Sequence, residues 1–194
     1  MQTEGENMSV NITIQPTPNP NALKFILDKF VKTVGSSSYK SPLDAKDNQL
    51  ASALFTIRGI DQIHFFENVI TVSKFGFEDW DSAEPQVIET IQSMIVNHNP
   101  DYHDSDPEAE RRMALTPDLL KIEEILDRTV RPGLQGDGGD LKTLSYNKED
   151  HVLMIKYQGA CGSCPSSSTG TLEAIKSILR DEFDPELDVY IAPE

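Results

Sequence analysis

Cysteine is scarce in this chain: only Cys161 and Cys164 occur in 194 residues. Two cysteines cannot build the disulfide framework of a small secreted domain. Long hydrophobic runs are missing as well, and no stretch of about 18 apolar residues offers a membrane span. Basic charge is in short supply, with 17 Lys and Arg against 32 Asp and Glu and a net charge of −15. Nucleic acid is therefore not an expected ligand, because affinity for it comes from Lys and Arg meeting phosphates. The acids are spread along the chain and read as a solvated surface. The opening "MQTEGENMSVNITIQ" has neither the basic and apolar segments of a secretory signal nor the arginines of a transit peptide. A cytoplasmic location is the expectation, with a processed mitochondrial protein as the other option.

What is present suits two modest domains. The hydrophobic fraction of 38% and aromatic fraction of 7% are ordinary for globular protein. Periodicity breaks in "NHNPDYHDSDPEAERRMALTPD", where prolines, acids and small polar residues gather. The boundaries drawn from it are residues 1–97, a linker over 98–116, and residues 117–194. His98 and His103 fall in that linker and read as solvated rather than as ligands. Upstream, "NITIQ" and "LKFIL" read as strands around "PTPNPN", a helix carries Leu50, Ala53, Leu54 and Ile57, and "QIHFF" and "VITVSKF" form a hairpin at Glu67-Asn68. A second helix starts near Asp81 or Ser82 and buries Val87, Ile88, Ile91, Met94 and Ile95. "GSSSYKSP" reads as a loop. His64 is a strand residue with no catalytic partner, and Phe75, Phe77 and Trp80 beside the helix start read as core, with an exposed contact patch as the alternative.

Downstream, Thr116-Pro117-Asp118 opens a helix with the stripe Leu119, Leu120, Ile122, Ile125, Leu126 and Val130, stopped by Arg131-Pro132-Gly133. A strand follows "GDGGD", then a turn at Asn147 to Asp150, the strand "HVLMIKYQ", a helix bearing Leu172, Ile175, Ile178 and Leu179, and a last strand "LDVYIA". The fold class expected is α+β: two small mixed domains joined by an acidic flexible linker.

Cys161 and Cys164 lie between a strand end and a helix start, among glycines that permit a tight loop. Pro165 suits a first helical turn, which puts Cys164 at or beside the N-cap, where the helix dipole favours the thiolate that binds metal. Ser166, Ser167 and Ser168 can add hydroxyl donors. A lone CxxC supports three chemistries: a dithiol oxidoreductase with Cys161 attacking and Cys164 resolving, a zinc ligand pair, or an iron–sulfur ligand pair. Thioredoxin-like motifs sit in a frame that continues well beyond the pair, and only 30 residues follow Cys164 here. A metal site is usually completed by four strong ligands, so a chain offering two thiolates needs a second copy for the rest. Spacing does not choose between zinc and iron–sulfur.

"RPGLQGDGGDL" followed by "GACGSCPSSSTGTLEAIKSIL" resembles the C-terminal NifU-like (Nfu) domain of iron–sulfur scaffold and carrier proteins. "PTPNPNALKF" is similar to the N-terminal Nfu domain. The resemblance implies that Cys161 and Cys164 ligate a [4Fe–4S] cluster shared by the two protomers of a homodimer. It further implies that the cluster is received from assembly machinery and passed to apo-proteins, a carrier's role rather than an enzyme's. The Asp-Gly-Gly-Asp run, with Asp137 and Asp140, has no basic residue and no following helix to cradle phosphate, and reads as a structural turn.

Overall fold

The computed structural model describes residues 10–102, 115–162 and 167–192. Two sheets form, each with helices of its own. The first has the order β1-β2-β5-β4-β3, built from β1 (Ile12–Pro16), β2 (Ala22–Leu27), β3 (Lys32–Tyr39), β4 (Ile60–Glu67) and β5 (Val69–Lys74). All its pairings are antiparallel. At the Pro-rich turn between β1 and β2, the Asn19 side chain accepts the Asn21 N–H at 3.0 Å, a local turn bond that only short polar side chains provide. Glu67, at φ 50°, reverses the chain into β5.

Helices α1 (Gln49–Leu54) and α2 (Trp80–Met94) cover one face. Asn48 caps α1 by accepting from Ala51 N–H, and Asp79 caps α2 by accepting from Asp81 N–H, so the second helix starts slightly ahead of its expected position. Alternation sends Phe25, Ile63, Phe65, Ile70 and Val72 into this core, where Leu50, Leu54, Val87 and Ile91 meet them, all at most 1% exposed. The same alternation turns Gln62, His64, Thr71 and Ser73 to the opposite face, yet these too are only 1–3% exposed.

Strand β3 was not expected. Its residues are "KTVGSSSY", an edge strand paired only to β4 with a register shift between Lys32 and Ser36. Serines and a glycine carry no period-2 apolar signal, so pairing with β4, not burial of apolar groups, makes it a strand. Residues 98–102, expected to begin the linker, pack on the first domain instead. The His98 ring meets Phe65 edge-on at 6.0 Å, its Nε2 lies 2.8 Å from the Val31 carbonyl, and burial lowers its pKa. Tyr102 receives Lys32 Nζ over its ring at 4.3 Å. His103 lies outside the described residues.

The second sheet has the order β6-β7-β8, from β6 (Gly139–Asn147), β7 (Val152–Gly159) and β8 (Asp188–Ile191). β6 and β7 are antiparallel, and β8 lies parallel to β7. Helices α3 (Pro117–Thr129), α4 (Arg131–Gly136) and α5 (Ser167–Glu182) complete the domain. Thr116 Oγ1 accepts the Leu119 N–H at 3.3 Å, as the helix-start motif requires. Ile122, Leu126, Leu153, Ile155, Ile175, Leu179, Leu187 and Val189 are fully buried, at about 1.5–3 kcal/mol each relative to exposure. Helix α3 ends at Thr129, just before Arg131-Pro132-Gly133 as expected, and those three residues open a further short helix, α4, where a proline's missing N–H costs nothing. Phe75 and Phe77 depart from the core reading: they stack at 5.7 Å and are 45% and 81% exposed.

Candidate functional site

The cysteine loop leaves the end of β7. Gly159, at φ 62°, takes the left-handed conformation that lets the chain turn away from the sheet. Ala160 N–H then bonds to the Gly138 carbonyl at 3.0 Å, and Gly162 N–H to the Gly159 carbonyl at 3.0 Å. These bonds hold Cys161 against the start of β6, where it is 8% exposed and belongs to the domain's apolar cluster. Cys164, Pro165 and Ser166 lie outside the described residues, and α5 begins at Ser167.

The glycines of the Asp-Gly-Gly-Asp run acquire a physical reason here. A Cβ on Gly139 would stand 2.4 Å from Cys161 Sγ, so only glycine leaves room for the sulfur. Gly138 is at φ 79°, and a Cβ there would stand 2.9 Å from both Lys24 Cγ and Thr71 Oγ1. The run is a turn whose bare backbone lies between the sulfur on one side and the first domain on the other.

Its two acids differ. Asp137 is exposed at the end of α4. Asp140 is buried and lies 3.3 Å from Arg131 Nε, which also pairs with Glu123 at 2.6 Å and with Asp127 and donates to the Leu141 carbonyl at 3.3 Å. Thr143 donates to Glu123. Burial works against the Arg131 charge, but the carboxylates around it prevail and raise its pKa. The guanidinium fork thus ties α3, α4 and β6 together directly behind the loop.

Tyr157 adds an unusual group. Its pKa is pushed up to about 12, first by burial and then by the charge of Cys161, and its buried hydroxyl has no hydrogen-bond partner among the described residues. Tyr157 and Cys161 share one buried cluster, so the neutral phenol brings a spare O–H donor to the interior that holds the sulfur.

The first domain closes over the loop. Asn19 Nδ2 donates to the Ala160 carbonyl at 3.0 Å, Lys24 Nζ donates to the Gly136 carbonyl, and Ser36 Oγ donates to Asp140 at 3.2 Å. His64 is a packed histidine: its Nδ1 lies 2.6 Å from Ser38 Oγ, and burial lowers its pKa with Asp140 partly opposing. Among the described residues, no three His, Cys, Asp or Glu side chains gather to hold a metal, and no helix is long and apolar enough to cross a membrane. Sequence reasoning missed Asn19, Lys24 and Ser36 at the site. Only Lys24 carried a signal, a charged side chain inside the apolar strand "LKFIL", and such a residue ordinarily marks a wet face.

Comparison with known proteins places these features. Residues 12–98 match the scaffold protein Nfu/NifU N-terminal family and residues 122–190 the NifU-like domain family. The chain is 30% identical over 179 residues to NifU-like protein 4, mitochondrial, of Arabidopsis thaliana, covering 90% of this chain and 63% of that protein. It is 33% identical over 183 residues to the NFU1 iron-sulfur cluster scaffold homolog, mitochondrial, of Drosophila persimilis, covering 93% and 64%. A NifU-like protein of Schizosaccharomyces pombe is 31% identical over 200 residues, with 95% and 77% covered. The chain therefore spans a little under two thirds of the plant and fly relatives. Their names overturn the cytoplasmic expectation: these relatives are mitochondrial proteins. The expectation failed because it rested on the composition of one end of the chain, which does not report where a protein of this kind resides.

Proposed function

Because the chain belongs to the Nfu/NifU-like family of iron–sulfur scaffold proteins, we propose that Cys161 and Cys164 hold a [4Fe–4S] cluster jointly with the same pair from a second copy, and that the cluster passes from there to apo-proteins. The observation that carries the reading is the seat of Cys161: a sulfur packed against Gly139 after the end of a strand, in the same buried cluster as Tyr157, whose hydroxyl has no partner among the described residues. The donor set fits such a cargo. Thiolate is the ligand iron–sulfur clusters use, and an O–H donor nearby stabilises the negative charge a cluster brings.

Two thiolates per chain leave the cluster half-ligated, so two copies related by a twofold axis complete it. A cluster held by few bonds at a seam between subunits departs by thiolate exchange more readily than one enclosed by a single fold. The partners implied are a second copy, a supplier of iron and sulfide or of preformed cluster, and apo iron–sulfur proteins. The chain's role in this reading is carriage rather than catalysis.

Anaerobic reconstitution with iron and sulfide tests the reading, followed by visible absorption, metal analysis and mass in solution. A brown dimer with about four irons per two chains is expected. A colourless monomer cycling between dithiol and disulfide would replace the reading by an oxidoreductase, and a colourless zinc-loaded dimer by a structural metal site.

A further inference from the structure

We propose that the outer face of the first domain's sheet is a docking surface for the chain's own cysteine loop, and that this sheathed arrangement must open before two copies can share a cluster. The second half of the proposal rests on the shared-cluster reading; the first half does not.

The face is built from Gln62, His64, Thr71 and Ser73, each 1–3% exposed although none belongs to an apolar core. The second domain's glycine-rich turns are what cover them. A Cβ on Gly138 would strike Lys24 and Thr71, one on Gly159 would come within 3.1 Å of His64 Cγ, and one on Gly162 within 3.2 Å of Gln62 Oε1. Three glycines thus let bare backbone lie directly on the sheet, and the bonds from Asn19, Lys24 and Ser36 fasten the rim. The fit is close and specific to this segment.

It is also imperfect. Gln62 Nε2, His64 Nε2, Thr71 Oγ1, Ser73 Oγ and Tyr157 OH are buried with no hydrogen-bond partner among the described residues. Four of these five belong to the sheet face, and buried polar groups left unpaired are costly. Parting the domains would return water to those four while leaving each apolar core intact, since the two clusters share no residue. The contact is therefore suited to opening rather than to permanence. While it is closed, Ala160 and Gly162, on either side of Cys161, rest on the sheet, and Cys161 itself is 8% exposed.

The test uses the apo full-length chain and a pulse of iodoacetamide, with the labelling rate of Cys161 read by peptide mass mapping. The double variant Lys24→Ala/Ser36→Ala removes two rim bonds from partly exposed positions, and Thr71→Arg wedges the face. Melting of each variant is checked alongside. Labelling of Cys161 about tenfold faster in the rim variant, with its melting near that of the wild type, is expected for a population shift of this kind. Equal rates in the wild type and a folded variant would overturn the docking surface. Thr71→Arg provides a second decision should the rim variant fold poorly. Reconstitution then separates the two halves: variants that label faster and also load iron and sulfide faster support competition, whereas faster labelling with unchanged loading overturns the competition and leaves the docking surface standing. A wild type that holds no cluster would end the scaffold reading without touching the alkylation result.

Discussion

Arg131 Nε stands 3.3 Å from Asp140 Oδ1, and the other oxygen of that carboxylate accepts from Ser36 of the first domain at 3.2 Å. One acidic side chain therefore joins the buried ionic network of the second domain to the sheet that covers the cysteine loop. Since the Arg131 and Asp140 side chains are only 10% and 8% exposed, each depends on the other for its charge to be tolerated.

Arg131→Met should consequently lower stability by about 3–5 kcal/mol, because it strands Glu123 and Asp140 without a cation. Arg131→Lys should fall between, keeping the charge and losing the fork that serves several acceptors. Urea unfolding measures both, and a loss below about 1 kcal/mol for the methionine variant would contradict the assigned role.

Gly139→Ala drives a methyl group to 2.4 Å from Cys161 Sγ and 3.0 Å from the Cys161 backbone nitrogen. Overpacking of this kind costs about 1–3 kcal/mol. The alanine variant should remain folded but, after reconstitution, lose iron to a chelator much faster than the wild type. Unchanged retention would show that the sulfur does not need its present seat.

Cys161→Ser and Cys164→Ser should each reduce iron retention to background. Cys161 packs in the apolar cluster of its domain, so its serine variant should also melt a few degrees lower, the scale of about 1 kcal/mol for placing a hydroxyl there. Circular dichroism and metal analysis on the same samples check both effects, and retention of iron by either variant would remove that residue from the ligand set.

His151 and Asp184 supply a pH dependence remote from the loop. His151 Nδ1 lies 2.6 Å from the Asp184 carboxylate and its Nε2 lies 3.2 Å from Glu186. The bond to Asp184 raises the His151 pKa above 6.5, and the bond from His151 lowers the Asp184 pKa below 3.8. The histidine's contribution is complete below pH 6.5 and is lost as pH rises through its raised value, while the aspartate's is complete above 3.8 and is lost as pH falls through its lowered value. His151→Asn, suited to the positive φ of 55° at this turn, should lower the melting temperature more near pH 5.5 than near pH 9. Equal losses at both would show that the pair does not titrate as described.

The parts of the fold legible in the sequence were those driven by apolar periodicity. Ile122, Ile125 and Leu126 on α3, and Ile175 and Leu179 on α5, announce their buried stripes, and the Thr116-Pro117 start is bonded as its residue types demand. Strand β3 was illegible because its order comes from pairing to β4 through Ser36, Ser37 and Ser38. At the site, the position of Cys161 after a strand followed from the hydrophobic run before it. The reason for Gly139 did not, since it depends on a sulfur 22 positions away in sequence. Nor could the sequence show that Gln62, His64, Thr71 and Ser73 are covered, because polar residues at alternate strand positions normally face water.

Anchoring of residues 98–102 has a final consequence. Thr33 N–H bonds to the Pro100 carbonyl at 3.1 Å and Lys32 Nζ to the Tyr102 carbonyl at 2.7 Å, while Leu115 rests on the core of the other half. Twelve residues, 103–114, separate these moorings in sequence, and covalent geometry alone keeps the two ends within about 45 Å. A covalent connection that short keeps the effective concentration of one surface near the other on the order of millimolar. Even a feeble intramolecular grip would then be re-formed after each release, and a rival from solution would have to outcompete that local supply.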